Sequence, residues 1–150
     1  MASDTIDTLN KLIETSKDGE NGFRDAAQHA VSPDLQQTFR QRADECREAA
    51  VQLQSLVVQL GGKAEDSGTI AGAAHRGWMA VKGSLAGYTD LAILEECERG
   101  EDTAMKNYRE ALDSGLPGTC QAFVERQYEG VKRNHAQVRA LRDQARATAH

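Results

Sequence analysis

The chain has 150 residues, a length that suits one domain with a substantial core. Ala, Glu, Gln, Arg and Leu abound while aromatic residues make up only 5%, a composition typical of an all-α protein. The formal net charge is -5, and the basic last segment from Pro117 is balanced by upstream acids. We therefore expect no nucleic-acid binding.

Targeting and redox features are also limited. No apolar run approaches the roughly twenty residues that a membrane-spanning helix needs, so membrane association is not expected. The opening Met-Ala-Ser-Asp lacks the basic start and apolar run of a signal peptide. Cys46, Cys97 and Cys120 have no CxxC spacing, which favours neither a disulfide framework nor a zinc site. We expect a cytoplasmic protein with a single domain over 1–150.

Helix 1 is predicted from about Asp4 to about Val31. The run DGENG over residues 18–22 argues for a turn, because Asp-Gly and Asn-Gly are turn signals. However, the apolar stripe keeps its helical phase from Ile13 to Phe23 across that run. We therefore predict one continuous helix, with a bulge or kink allowed at the glycines.

Three further helices follow. Ser32 is the expected N-cap of helix 2 with Pro33 at its first position, and Gly61-Gly62 ends that helix. Residues 63–87 form a long connection in which apolar residues from Ile70 to Leu85 recur at helical spacing, so it is predicted to contain an extra short helix. Helix 3 is predicted over about 89–113, and helix 4 from about residue 117 to near the end.

The lengths of the connections predict the topology. Short corners make helices 1 and 2 an antiparallel hairpin, and likewise helices 3 and 4. The 25-residue connection over 63–87 can travel the length of the bundle and leave helices 2 and 3 parallel. One long crossover is the ferritin-like variant of the four-helix bundle. The predicted fold is therefore an all-α, ferritin-like four-helix bundle.

Acidic residues interrupt the inward stripes of this bundle. Glu20 lies on the core stripe of helix 1, and Glu98 and Glu101 lie on that of helix 3. Counting residues from the corners places Glu45 of helix 2 and His135 of helix 4 at the same height. We expect these five side chains to meet in one polar layer at the middle of the bundle.

One interpretation of the layer is a two-metal carboxylate site holding iron or manganese, with Glu20, Glu45, Glu98, Glu101 and His135 as ligands. Such sites take one Glu from each of two helices and Glu-x-x-His from each of the other two. Here neither such motif is intact: residues 45–48 read Glu-Cys-Arg-Glu and residues 132–135 read Lys-Arg-Asn-His.

The other interpretation is a buried ionic network. Arg42 lies on the inward stripe of helix 2, less than one turn from the acidic layer. Its guanidinium could neutralise Glu20 or Glu98 through paired hydrogen bonds, with His135 as a third partner.

Several segments resemble a known family. They are Leu60-Gly61-Gly62, the run GAAHRGWM over 72–79, LEECERGED over 94–102 and RQYEGV over 126–131. The chain resembles, over essentially its whole length, small bacterial proteins that are ferritin-like four-helix bundles classed as a domain of unknown function. The resemblance implies the bundle and a bacterial cytoplasmic origin, and it carries over no activity.

The sequence therefore predicts a non-catalytic, stress-associated bacterial bundle protein that self-associates as a dimer. One alternative is a di-iron or di-manganese carboxylate protein with oxidase or peroxide-handling activity. Another is a partner- or membrane-binding module that uses the crossover helix. No nucleophile elbow or phosphate loop appears, so no small-molecule substrate is identified.

Overall fold

The computed structural model describes residues 2–66, 68 and 89–148. Within them the chain forms four helices, α1 (Ala2–His29), α2 (Pro33–Gln59), α3 (Asp90–Asp113) and α4 (Gly118–Thr148). The predicted short helix over 70–85 lies outside the described residues. No helix in the described part of the chain has both the length and the apolar character needed to cross a bilayer.

The helix ends follow from local chemistry. The Ser32 side chain accepts a hydrogen bond from the backbone N–H of Leu35, and Pro33 occupies the first turn, as predicted. Gly61 has a φ of 81°, the left-handed conformation that commonly ends a helix. Thr89 caps α3 by accepting from the N–H of Ala92. The corner after α3 likewise ends in a left-handed glycine, Gly115.

α1 is one helix through the DGENG run, so that prediction is confirmed. Gly19 suits this close approach, because a Cβ atom at this position would lie 2.9 Å from the Cys46 Sγ and that side chain would have to shift. α1 and α2 therefore approach closely at this height. A turn signal in the sequence is overridden by packing between helices.

The topology is the predicted one. The Asp90 carboxylate accepts hydrogen bonds from the backbone N–H groups of Val31 and Ser32 at 2.7 and 3.1 Å, so α3 begins at the α1–α2 corner. Asn107 of α3 donates to Thr15 of α1 at 2.9 Å, far along both helices. α1 and α3 are thus antiparallel, and α2 and α3 are parallel. α2 therefore ends and α3 begins at opposite ends of the bundle.

The start of the connection between α2 and α3 is fastened to α1 and α2. The Asn10 amide donates to the carbonyl of Lys63 at 3.0 Å and accepts from the N–H of Glu65 at 2.9 Å. The Gln54 amide donates to the Glu65 carbonyl at 2.7 Å. These hydrogen bonds give partners to backbone groups of Lys63 and Glu65, which lie beyond the end of α2 and have no helical partners.

The hydrophobic core has two parts separated by polar residues. One part lies at the end where α2 stops and α4 starts, and includes Leu9, Leu12, Ile13, Leu53, Val57, Tyr108 and Val124. The other lies near the α1–α2 corner, and includes Phe23, Ala27, Phe39, Ala43, Ile93, Leu94 and Val138. The predicted polar layer falls between them.

Helix spacing is uneven around the bundle. Close backbone packing joins α1 to α2, α1 to α3, and α3 to α4. α2 and α4 are instead joined by long side chains: Arg42 donates to Asn134 at 2.7 Å and also to Gln137, and Gln127 donates to the carbonyl of Ala49 at 3.3 Å. This wider gap leaves room between the helices.

Candidate functional site

The mid-bundle layer gathers side chains from every helix. Glu20 of α1, Glu45 of α2 and Glu101 of α3 all lie close enough to affect the Cys46 thiol. The pKa of that thiol is raised to about 12, chiefly by burial and then by the three carboxylates, while Arg42 lowers it. The heights counted from the corners were therefore correct for these three residues.

Three of the five predicted metal ligands are already paired with cationic side chains. The Glu20 carboxylate contacts Arg24 at 2.9 Å and Lys17 at 3.7 Å. Glu45 accepts from Arg42 at 2.7 Å.

Glu98 is the third paired ligand. It forms an ion pair with Arg142 of α4, and both side chains are about 15% exposed (15% and 14%). The acids are paired with basic side chains, but only the Glu98–Arg142 pair is buried on both sides, as the predicted network required. The expectation that Arg42 neutralises Glu20 or Glu98 is wrong. Glu20 is instead paired with Lys17 and Arg24, one turn away on α1, and Glu98 with Arg142 of α4.

Glu101 is the exception in this layer. Its side chain is buried, with the residue 7% exposed, and its Oε1 atom has no hydrogen-bond partner among the described residues. Burial raises the pKa of this carboxyl to about 8; Arg42 lowers it, while Asp102, Glu45 and Glu98 raise it. Glu101 is therefore mostly protonated at neutral pH.

His135 pairs with a residue that the sequence analysis did not select. Its Nε2 atom lies 2.5 Å from the Asp102 Oδ1. Asp102 lies four residues after Glu98 on α3, so the two carboxylates share a helix face. That spacing was the available signal, but Asp102 lies off the inward stripe from which the candidate ligands were chosen.

Glu98, Asp102 and His135 form a compact group of possible metal ligands. One ligand atom from each lies within 4.8 Å of the others, and no other such group of three or more occurs among residues 2–66, 68 and 89–148. Carboxylate and imidazole donors suit iron, manganese or zinc. The donor set fits one ion, although Glu98 also pairs with Arg142. Glu20, Glu45 and Glu101 do not join this group.

A second polar network crosses the bundle one to two turns away. Tyr108 is 2% exposed, and its hydroxyl donates to the Gln127 side chain at 2.8 Å. Gln127 in turn donates to the Ala49 carbonyl and to Gln52 at 3.3 Å each. Burial raises the pKa of Tyr108 to about 12, and a hydrogen bond with Ser16 lowers it. One chain of hydrogen bonds thus touches all four helices.

A cavity of about 930 Å³ lies beside these residues. Its deep wall contains Ser16, Phe23, Ile93, Glu101 and Tyr108, which are all buried. Its rim contains residues of α2 and α4, where the two helices are far apart. The volume is within the range of ligand-binding pockets.

Together, the crossover topology and the polar layer inside the bundle define a ferritin-like four-helix bundle protein. A crystal structure of a C-terminal deletion mutant of Mycobacterium smegmatis Dps is similar, with a TM-score of 0.76 and 16% identity over 93% of this chain and 99% of that chain. A point mutant of Mycobacterium smegmatis Dps1 gives a TM-score of 0.75 and 16% identity over 94% and 96%. At this identity the likeness concerns the fold alone.

The sequence comparison identifies the family. The chain belongs to the family described as Domain of unknown function (DUF2383), whose profile matches residues 4–114. The matched range covers nearly all of α1, α2 and α3, whereas His135 and Arg142 lie on α4 beyond it. The resemblance noted in the sequence is thus confirmed. Comparison with curated protein sequences finds no match.

Proposed function

We propose that this chain is a non-catalytic bacterial bundle protein whose mid-bundle carboxylates neutralise its own basic residues. The observation that supports the proposal is the pairing of Glu20, Glu45 and Glu98 with Arg24, Arg42 and Arg142. A carboxylate that bridges two metal ions needs both oxygens free of such competitors. Of the three pairs, Glu98–Arg142 has both side chains mostly buried, and breaking a buried ion pair is costly. The layer then serves to fix helix register.

Elemental analysis of protein purified without chelator tests this proposal. We expect iron, manganese and zinc to be close to zero per chain after extensive dialysis. A content approaching two ions per chain would overturn the proposal. The same measurement on Glu20→Ala would then show whether Glu20 is a ligand, because loss of metal is expected only for the two-metal arrangement.

A single-ion site is the second candidate function, favoured by the proximity of Glu98, Asp102 and His135. These three side chains would hold the ion, and a bound iron or manganese would supply redox chemistry for an oxidase or peroxide-handling activity. Titration with Mn²⁺ distinguishes the two metal proposals. His135→Ala should abolish binding at the single-ion site while Glu20→Ala leaves it unchanged, and the two-metal site requires both residues.

The physiological part of the proposal is a stress-associated role in the bacterial cytoplasm. The family resemblance supports only the bacterial cytoplasmic setting, and the stress association is carried over from the sequence analysis as a proposal. A deletion strain should lose viability under oxidative or starvation stress, and expression of the wild-type chain should restore it. Equal survival of both strains under all of these conditions would contradict the role.

Self-association is the remaining part. We propose a homodimer formed through the outer face of α2, where Val51 and Val58 lie seven residues apart on one face and are 46% and 64% exposed. The test of this interface is a whole-molecule measurement and is given in the Discussion.

A further inference from the structure

Arg42 and Glu101 each contribute to the lining of the mid-bundle cavity and each carry a buried polar atom without a partner among the described residues. The atoms are the Nε of Arg42 on α2 and the Oε1 of Glu101 on α3. A buried polar atom without a partner is uncommon in native proteins, because it has lost its hydrogen bonds to water and gained none in return. The missing partner of both atoms is therefore expected to lie in the cavity.

Arg42 needs a hydrogen-bond acceptor in the cavity. One terminal nitrogen of its guanidinium donates to Glu45 and to Asn134, at 2.7 Å each, and the other donates to Gln137. The Glu45 carboxylate thus already balances the charge of the guanidinium. What remains is the Nε–H group, which is a donor at every pH because arginine does not lose its proton in proteins. A cation at this place would be repelled and would leave the donor unsatisfied.

Glu101 needs a hydrogen-bond donor in the cavity. A carboxyl oxygen accepts a hydrogen bond when the group is ionised, and as the carbonyl oxygen it also accepts when the group is protonated. The requirement for a donor therefore does not depend on the charge of Glu101. An anionic head group would offer no donor, and acidic side chains outnumber basic ones by six to three among the described lining residues. An anion is therefore disfavoured as well.

The two atoms together favour an uncharged head group that accepts from Arg42 and donates to Glu101. A primary carboxamide does both, with its oxygen as the acceptor and its NH₂ group as the donor. α2 and α3 are not one of the closely packed helix pairs of this bundle. A head group that uses two separate atoms is therefore better able to reach both helices than a single hydroxyl oxygen.

The cavity walls indicate what the rest of the molecule is like. Phe23, Ala26, Ala49, Ile93 and Val131 supply apolar surface. An organic molecule buries apolar area against such walls, whereas water gains nothing from them. The cavity volume of about 930 Å³ is also far larger than the share of one bridging water, about 30 Å³. The occupant should therefore have an apolar body behind its polar head.

Glycines keep the cavity open. A Cβ atom added at Gly22 of α1 or at Gly100 of α3 would meet no atom outside its own stretch of helix within 4 Å, and both residues line the cavity. Larger side chains at these positions would project into free volume without displacing the helices. The cavity can therefore be filled by mutation while the bundle is retained.

We propose that the mid-bundle cavity binds a small organic molecule with a primary carboxamide head, held by Arg42 and Glu101, and an apolar body that packs among the four helices. The site uses none of Glu98, Asp102 and His135, and it needs no metal ion. It goes beyond the ionic role of the layer, because it concerns the two atoms that the ion pairs leave unused.

Calorimetric titration with matched probes, in the presence of a chelator, tests the site. The probes are phenylbutanamide, its N,N-dimethyl derivative, phenylbutylamine and phenylbutyrate, which share one apolar body and differ in the head group. We expect phenylbutanamide to bind at least about tenfold more tightly than the amine and the carboxylate. The N,N-dimethyl compound keeps the acceptor but has no donor, and should bind at least about fivefold more weakly than phenylbutanamide. An amine or a carboxylate that binds as tightly as the amide, or no binding of the amide, would overturn the proposal.

Two substitutions at Glu101 separate hydrogen bonding from charge. Glu101→Gln keeps an acceptor oxygen without a charge, so it should bind phenylbutanamide within about twofold of wild type. Glu101→Met keeps the approximate size of the side chain and removes both oxygens, so it should bind the amide at least about fivefold more weakly. Loss of amide binding in Glu101→Gln, or wild-type affinity in Glu101→Met, would contradict the assignment.

Substitutions at Arg42 and Gly22 locate the head and the body of the ligand. Arg42→Lys keeps a cation beside Glu45 but lacks the Nε–H group, so it should bind the amide at least about fivefold more weakly. Arg133→Lys, at the exposed rim of the cavity, is the matched control and should leave the affinity unchanged. Gly22→Leu should weaken the binding of all probes while its circular dichroism melting curve remains cooperative. Full amide affinity in Arg42→Lys or in folded Gly22→Leu would overturn the proposal.

Discussion

The carboxyl group of Glu101 links the folding of this chain to pH. Its pKa is about 8 in the folded protein, against an ordinary value of 4.5, chiefly because burial disfavours the charged form. Between these two values the folded protein holds a proton that the unfolded chain has released. Stability must therefore fall as the pH rises through this window, and the loss is complete above about pH 8.

Urea unfolding at pH 6, 7 and 8 measures this effect. Wild-type protein should lose stability with rising pH by up to about 1.4 kcal/mol per pH unit from this one group. Glu101→Gln cannot ionise, so its curve should be flatter, and its advantage over wild type should grow with pH. Asp113→Asn, which removes an exposed acid at the end of α3, is the control. Parallel curves for wild type and Glu101→Gln would show that Glu101 ionises normally in the fold.

The two mid-bundle thiols should be chemically inert. Burial raises the pKa of Cys46 to about 12 and also raises that of Cys97, so the thiolate form is scarce at neutral pH. Alkylation by iodoacetamide at pH 8 should be at least about 100-fold slower for these residues in folded protein than in urea. Mass mapping of the modified peptides distinguishes them from Cys120. Rapid labelling of Cys46 in the native state would contradict this prediction.

At the scale of one helix, the two glycines in the DGENG run of α1 have different roles. Gly22 faces open space, so alanine there gains helix propensity and should stabilise the protein by about 0.5–1 kcal/mol. Gly19 faces the Cys46 sulfur at contact distance, so alanine there must displace that side chain and should gain less or destabilise. Thermal unfolding of both single variants makes the comparison. Equal effects would show that α1 and α2 do not approach closely.

Asp90 holds the start of α3 against the α1–α2 corner. Its carboxylate accepts two backbone hydrogen bonds, from Val31 and Ser32, and hydrogen bonds to charged groups are the stronger kind. Asp90→Ala should therefore cost about 1–3 kcal/mol in the free energy of unfolding. Asp34→Ala removes an exposed acid from the first turn of α2, and should cost under about 1 kcal/mol. Similar losses for both variants would show that Asp90 stabilises the protein only through the dipole of α3, and that its two hydrogen bonds to the corner contribute little.

The sequence was informative at this scale because helices are regular. The helical periodicity of the apolar residues predicted a continuous α1 across its glycines. The Ser32-Pro33 pair, an N-cap followed by a proline, predicted where α2 starts. Counting along helices also placed Glu20, Glu45 and Glu101 near one height. The ion-pair partners were not predictable in the same way, since Arg24, Arg42 and Arg142 have long side chains that reach several carboxylates, and the outcome depends on helix rotation.

At the scale of the whole molecule, the cavity is a feature that the apolar pattern of each helix does not reveal. The separation of α2 from α4, which opens the cavity, depends on how four helices pack together and not on any one of them. The Gln127 amide of α4 crosses that gap by donating to the Ala49 carbonyl of α2, and Tyr108 of α3 donates to the same Gln127 side chain. A stripe records only which residues point inward. It could not distinguish residues that meet a neighbouring helix, such as Val124, from residues that face a void.

Assembly is the remaining property of the whole molecule, and sedimentation equilibrium measures it. Val51 and Val58 place apolar surface on the outer face of α2, and a two-fold axis across this face would bury four valines from two chains. We expect wild-type protein to sediment as a dimer and Val58→Lys to sediment as a monomer, because opposed lysines would repel each other. Val31→Lys is the matched control, since Val31 is 73% exposed but lies at the α1–α2 corner, away from this face. A monomeric wild type would contradict the dimer. A Val58→Lys variant that remains dimeric would show that the dimer contact lies elsewhere on the molecule.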